Sequence, residues 1–190
     1  NININLLGEH NIRNATAALA ISLNLGIKEK IIKNALKKFM GIQRRFTHIF
    51  SYQKKDFYDD YAHHPTEIKS VLASVKGVYK KRKIISVFQP HRYSRVKSLK
   101  EEFSKSFIDS DEIVLCPVYA AGEKIDKKFN LVNFGQKIAK NSKKQVVIVN
   151  DKTELLKYFI RNLTSDEIVV CMGAGSISSW LKEISHDLKR

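Results

Sequence analysis

The stretch KIISVFQPHRYSR, residues 83–95, decides the fold. Residues 83–88 read as an apolar strand, and a polar segment rich in His and Arg follows before a helical pattern begins near Ser94. A strand that feeds a helix through a short polar turn is half of a βα unit, and the same succession recurs along the chain. From Phe46 onward, strand patterns at 47–52, 57–61, 83–88, 112–117, 145–149 and 167–172 alternate with helical ones at 65–77, 94–108, 131–141, 151–163 and 176–188. Repeated βα units imply an α/β fold, a Rossmann-like and mostly parallel sheet with helices on both faces.

Upstream of Phe46 the pattern differs. NININLL (1–7) alternates like a half-buried strand, and after a turn at Gly8 the segment NIRNATAALAISLNLG (11–26) reads as a helix closed by Gly26. A second helix is expected over KEKIIKNALKKF (28–39), with Ile31, Ile32, Ala35 and Phe39 on one face, and Gly41 ends it. One strand and two helices are too little to enclose a core. Residues 1–41 therefore read as the end of a neighbouring domain, and 42–190 as the Rossmann-like domain.

The 190 residues are 43% hydrophobic and 28% charged, which suits a folded globular chain and excludes a fibrous or disordered one. No apolar run approaches the roughly 20 residues that span a bilayer, and the N-terminus lacks the basic flank and apolar core of a signal peptide. A cytoplasmic protein with no membrane partner is expected. Cys116 and Cys171 sit in apolar runs without metal-ligand spacing and read as buried thiols. The net charge of +15 invites a polyanionic partner such as nucleic acid. Yet Lys and Arg are spread along the chain, with only short clusters such as KKRK (80–83), and no nucleic-acid motif accompanies them. A solvated lysine-rich surface accounts for the charge, and anionic small substrates suit it equally.

In an open α/β sheet, ligands collect outside the carboxyl ends of the strands, where loops and helix N-termini converge. Four polar segments fall at such ends: DDYAHHP (59–65), QPHRYSR (89–95), VYAAGE (118–123) and GAGS (173–176). A common cleft is expected from their shared position. Within DDYAHHP, strand alternation sends Asp59 and Asp60 to opposite faces, and His63 and His64 likewise if the chain stays extended, which argues against four ligands gripping one ion. Pro65 suits the first helical turn, with His64 near the N-cap and Glu67 at the third position, above a buried stripe of Ile68, Val71, Leu72, Val75 and Val78. His91, Arg92 and Arg95 lie within five residues at a helix start, which fits an anion. GAGS lets an anion approach bare backbone but lacks the rest of a dinucleotide fingerprint, and no GxxxxGK[ST] phosphate loop occurs.

Together, GEHNIRNATAALA (8–20), GIQRRF (41–46), DDYAHHPTEI (59–68), FQPHRYSR (88–95), VYAAGE (118–123) and MGAGSI (172–177) resemble, in the same order, the C-terminal part of the Mur ligases, and among them the alanine-adding branch. The resemblance covers essentially the whole chain. It implies a three-domain ligase of which 1–41 is the end of the central ATPase domain and 42–190 the C-terminal domain. It also implies the reaction: Mg²⁺-ATP phosphorylates the carboxylate of UDP-N-acetylmuramate, and L-alanine attacks the acyl phosphate to give the amide. ATP and Mg²⁺ would be bound mainly by the central domain, so the fragment alone is expected to be inactive, as a monomer or weak dimer.

Carried over residue by residue, the resemblance places His10, Asn11 and Asn14 near the nucleotide, with Asn11 on the adenine. Arg45, or Arg44 beside it, would reach the γ-phosphate, and Asp60 the ATP ribose or its water and metal network. His63, His91, Arg92 and Arg95 would face the alanine and the acyl phosphate, and Tyr119 with Gly173, Ala174 and Gly175 would help hold the amino acid. Ala62 stands where the alanine-adding enzymes commonly have glycine. A muropeptide-recycling ligase shares several of these segments but is expected to lack QPHRYSR.

Overall fold

Residues 83–88 and 167–172 are apolar at nearly every position, the composition of strands covered on both faces. The computed structural model describes residues 2–6, 9–39, 41–164 and 166–188, the His10 side chain excepted. It divides into two units between Gln43 and Arg44.

The first unit holds two helices, α1 (Glu9–Asn24) and α2 (Glu29–Lys38), joined by a turn in which Gly26 takes a φ of 77°. Residues 2–6 form no strand, contrary to the alternation in 1–7, because no neighbouring strand among the described residues offers them a ladder. The segment is instead held by Asn5, whose Nδ2 donates to the Lys37 carbonyl at 2.8 Å. A groove of about 400 Å³ opens among Ile2, Ile4, Ile12, Ala15, Leu19 and Leu36. Ile32 is buried in α2, whereas Ile31 and Phe39, read onto the same face, are exposed.

The second unit contains β1 (Thr47–Tyr52), β2 (Lys55–Asp60), α3 (Pro65–Val78), β3 (Lys83–Phe88), α4 (Tyr93–Ser98), α5 (Lys100–Ser104), β4 (Glu112–Leu115), α6 (Leu131–Ser142), β5 (Gln145–Ile148), α7 (Lys152–Asn162), β6 (Glu167–Met172) and α8 (Ile177–Asp187). The strand order is β1-β2-β6-β3-β4-β5, with β1 antiparallel to β2 and every other pairing parallel. The single helix expected over 94–108 is broken at Leu99 into α4 and α5. No glycine or proline marks that break.

Strand alternation builds two cores. Ile84, Phe88, Ile113, Leu115, Ile168, Val170 and Met172 pack with α3 to α6. Ile85, Val87, Val114, Cys116, Val169 and Cys171 pack with α7 and α8. Helix caps fix where the elements start: Asn130 Oδ1 accepts from the Asn133 amide at 2.9 Å, and Asp151 Oδ1 from the Glu154 amide at 2.8 Å. At the amino edge of the sheet, Arg82 donates to the carbonyls of Lys54, Asp166 and Glu167 and pairs with the carboxylates of Asp56 and Asp166. One guanidinium thereby ties the β1–β2 turn to the start of β6.

Candidate functional site

Register brings the carboxyl ends of the parallel strands to one level: Asp60 lies beside Met172, Met172 beside Phe88, Phe88 beside Leu115, and Leu115 beside Ile148. The loops after β2 and β3 lead to helices on one face, and the loop after β6, set between them, leads to α8 on the other. Such a reversal leaves a crevice where the loops part. DDYAHHP, GAGS and QPHRYSR supply its three sides, and the 118–123 loop joins them through the Tyr119 amide, which donates to the Pro90 carbonyl at 2.8 Å.

The β6 loop is set by two glycines and a glutamine. Gly173 takes a φ of 151°, and an added Cβ would lie 2.7 Å from the Gln89 carbonyl oxygen. At Gly175 a Cβ would lie 2.5 Å from Tyr119 Cγ and 2.6 Å from Gln89 Oε1. Gln89, 2% exposed, donates from Nε2 to Ser176 Oγ and accepts the Ile177 amide at Oε1, each at 3.0 Å. The two glycines predict different outcomes. Gly173→Ala meets backbone that cannot retreat in a left-handed conformation, and should destabilise by about 3 kcal/mol. Thermal unfolding would then start about 10 °C lower. Gly175→Ala needs no left-handed backbone, but Tyr119 Cβ at 2.7 Å is tied to its main chain and the Gln89 amide is held by two hydrogen bonds, so the 118–123 loop must shift. Its melting temperature should fall less than that of Gly173→Ala, with Tyr119 displaced. Melting curves of the two variants check the order.

Along the crevice runs a chain of ring contacts. The Arg44 guanidinium lies 4.7 Å over the Tyr61 ring, Tyr61 meets His63 at 5.1 Å between centroids, His63 meets His91 at 5.8 Å, and His91 stacks on Tyr119 at 5.7 Å. Arg95 lies against His91, donating to its carbonyl at 3.2 Å and to Nδ1 at 3.5 Å. Burial first, then the charges of Arg95, His63 and Arg92, press the His91 pKa below the ordinary imidazole value. His64 does not join this row, because its Nδ1 accepts the Thr66 amide as the N-cap of α3.

The two aspartates diverge as strand alternation requires. Asp59 faces α8, where Ser178 Oγ donates to Oδ2 at 2.6 Å, and Arg44 Nε stands 3.6 Å from the same oxygen. Asp60, 3% exposed, accepts the Phe46 amide at 2.8 Å and the Ala62 amide at 2.7 Å, one on each carboxylate oxygen. Burial pushes the Asp60 carboxyl up, and the Ala62 and Phe46 amides with Arg45 pull it partly back. Through Phe46, Asp60 holds a loop in which Arg44 and Phe46 have φ of 61° and 48°, a region most side chains avoid. Phe46 also stacks on Tyr58 at 4.2 Å.

The two arginines of that loop differ. Arg44 is spent on structure: Nη2 donates to the Gly173 carbonyl at 2.5 Å, and its own carbonyl accepts the Tyr61 amide at 2.7 Å. Arg45 is exposed, with no hydrogen bond or ion pair among the described residues, while its charge reaches Asp60 and Glu67. Arg92 starts α4 at a φ of 66° and lies 3.5 Å from Glu123, which also accepts the Ser94 amide and hydroxyl. Among the residues read from the sequence, the structure gathers His63, His91, Arg95, Tyr119 and Gly173–Gly175 around the crevice. It leaves Asp60 beneath it and Arg92 turned to Glu123. Asn11 and Asn14 lie one helical turn apart on α1 in the first unit; the His10 side chain is outside the described residues.

A family model described as Mur ligase, glutamate ligase domain, matches residues 44–175. The chain belongs to the Mur ligase family. A UDP-N-acetylmuramate–L-alanine ligase from Pelagibacter ubique is 51% identical over 183 residues, covering 96% of this chain and 39% of the relative. One from Rickettsia felis is 40% identical over 184 residues, covering 95% of this chain and 38% of that protein. Among solved structures, the UDP-N-acetylmuramate-alanine ligase MurC from Thermotoga maritima superposes with a TM-score of 0.79 at 28% identity, over 99% of this chain and 40% of that one. The chain thus spans about two fifths of the length of these Mur ligases. The fold expected from the βα pattern is theirs.

The strands and the strand-end segments of this Mur ligase domain were legible in its sequence. Gln89, Glu123 and the clamp made by Arg44 were not singled out. Gln89 carried a signal, a polar residue directly after an apolar strand, but only its tertiary partners reveal what it holds. Among the described residues no group of three or more His, Cys, Asp or Glu is placed to hold a metal ion, and no helix is long and apolar enough to cross a membrane.

Proposed function

We propose that the protein containing this chain joins L-alanine to UDP-N-acetylmuramate at the expense of ATP, in the synthesis of peptidoglycan precursors. The observation that carries this reading is the 51% identity to a ligase of that name over nearly the whole chain. The crevice supports it: imidazoles, a guanidinium and bare glycine backbone at the strand ends suit an amino acid and an anionic acyl group. Such chemistry needs positioned cations more than a conventional acid and base pair.

In this reading Arg45 meets the γ-phosphate, and Asp60 acts on the nucleotide side by holding the loop that carries Arg45. His63, His91, Arg92 and Arg95 serve the alanine and acyl-phosphate side, and Tyr119 with Gly173, Ala174 and Gly175 bounds the amino acid. His10, Asn11 and Asn14 serve the nucleotide, with Asn11 at the adenine. ATP and Mg²⁺ would be bound mainly by the remainder of the protein. The protein would work in the cytoplasm as a monomer or weak dimer, without nucleic acid or membrane as a partner. The intact QPHRYSR segment favours the alanine-adding reaction over the muropeptide-recycling one.

The full-length protein should form UDP-N-acetylmuramoyl-L-alanine and ADP in equal amounts, with strict dependence on L-alanine. The 190-residue chain alone should form none. Mass spectrometry of both reactions checks this, and amide formation by the chain alone would refute the division of labour.

A further inference from the structure

His63 and His91 touch edge to face, and their surroundings fix their protons differently. His63 Nδ1 lies 2.9 Å from the Tyr61 carbonyl oxygen and 3.3 Å from Glu67 Oε2. Neither oxygen has a proton to give, so Nδ1 must carry one, and the neutral ring keeps its lone pair on Nε2. His91 Nδ1 faces Arg95 Nη1, a group that only donates, so its neutral ring carries the proton on Nε2. The row therefore presents one proton acceptor and one proton donor.

Glu67 is placed to enforce the first of these states. Its Oε2 accepts the amides of His63 at 3.0 Å and of His64 at 3.2 Å, so the carboxylate is fixed beside the His63 ring as part of the α3 capping box. Burial pushes its carboxyl up, but the His63 amide and ring, the His64 amide and Arg45 outweigh this and hold it below the usual carboxylate range. It stays charged. The charged or titratable groups around His63 are Tyr61, whose ring meets it at 5.1 Å, Glu67 from α3, His91 from the β3 loop with Arg95 behind it, and Arg45, whose charge reaches Glu67.

We propose that Glu67 is a positioning residue that, with the Tyr61 carbonyl, holds His63 as a base with its free lone pair on Nε2, ready to take a proton from the incoming amino group. The inference rests on the ligase reading above. The ammonium group passes one proton to Nε2, and the imidazolium so formed is stabilised by Glu67, as a carboxylate behind a histidine does in other acyl-transfer sites. The freed nitrogen lone pair forms the C–N bond at the acyl carbon. The C–O bond to phosphate then breaks, its electron pair leaves with the phosphate, and the second nitrogen proton departs with it. The imidazolium returns its proton to solvent. His91, kept neutral by burial and then by Arg95, does not compete for the first proton and offers N–H to the oxygen that becomes negative.

Nitrogen-15 spectra of the histidine rings in the 190-residue chain test the positioning without any activity. In the native chain the neutral His63 ring should show a protonated Nδ1 and a bare Nε2. In Glu67→Ala the two forms should mix. In Glu67→Gln, whose amide oxygen can still accept the His63 and His64 amides and lie beside the ring whose Nδ1–H is given to the Tyr61 carbonyl, the native form should persist. In the full-length enzyme Glu67→Ala should lower kcat roughly 100-fold with little change in KM for the amino acid, and Glu67→Gln should fall between it and wild type. A native ring protonated on Nε2, or an unchanged ring and kcat in Glu67→Ala, overturns the proposal. Should Glu67→Ala fail to fold, a Glu67→Gln enzyme with wild-type kcat overturns it equally. A wild-type enzyme that forms no amide sinks the ligase reading, while the ring spectra still decide whether Glu67 fixes His63.

Discussion

Arg45→Ala in the full-length enzyme should lower kcat about 10³-fold, the scale at which arginines contribute to phosphoryl transfer, and leave the melting temperature where it was. The two halves of this expectation have separate causes. Arg45 is exposed and its guanidinium makes no hydrogen bond or ion pair among the described residues, so its removal costs the fold little. In the proposed reading its cationic head meets the γ-phosphate at the moment of reaction. Arg44→Ala should behave in the opposite sense, because Arg44 joins the β2 and β6 ends through the Gly173 carbonyl and Asp59. It should lower the melting temperature first and turnover only as a consequence. Kinetics and thermal melts of the two variants side by side check the pair. Silence in Arg45→Ala with full loss in a stably folded Arg44→Ala would exchange the roles.

Arg82→Ala should be the most destabilising single change at the amino edge of the sheet. Three backbone carbonyls and two carboxylates lose a charged donor at once, and Arg82 and Asp56 are both largely shielded from water. Breaking a partly buried ion pair and orphaning its neighbours costs about 3 kcal/mol, or roughly 10 °C in the melting temperature of a domain this size. Arg82→Lys should recover little of that, since an ammonium cannot reproduce the planar fork that serves the β1–β2 turn and the β6 start together. Denaturant unfolding of both variants measures it. A loss below about 1 kcal/mol in Arg82→Ala would reduce the cluster to an ordinary surface ion pair.

What was legible in the sequence follows from how parallel sheets are covered. Strands buried on both faces must be apolar throughout, so 83–88 and 167–172 announce themselves, and each polar segment after such a run marks a strand end. The divergence of Asp59 from Asp60 and the capping role of His64 follow from local geometry and appear in the structure as read. Three features depend on tertiary partners and leave no local trace. The break at Leu99 has no residue of its own to explain it. The alternation in 1–7 is real, but a strand forms only where a neighbour supplies its ladder, and residues 2–6 meet none among the described residues. The tasks of Gln89 and Arg44 are set by atoms far along the chain, so their residue types alone do not disclose them.

The alanine-adding reading is tested most directly by competition. The full-length enzyme would be given ATP, Mg²⁺ and UDP-N-acetylmuramate with equal concentrations of L-alanine and of the tripeptide that the recycling ligases attach, and the products weighed by mass spectrometry. The L-alanyl product should dominate, with the tripeptide adduct at most a trace. A predominance of the tripeptide adduct, or ATP turnover without either amide, would contradict the reading.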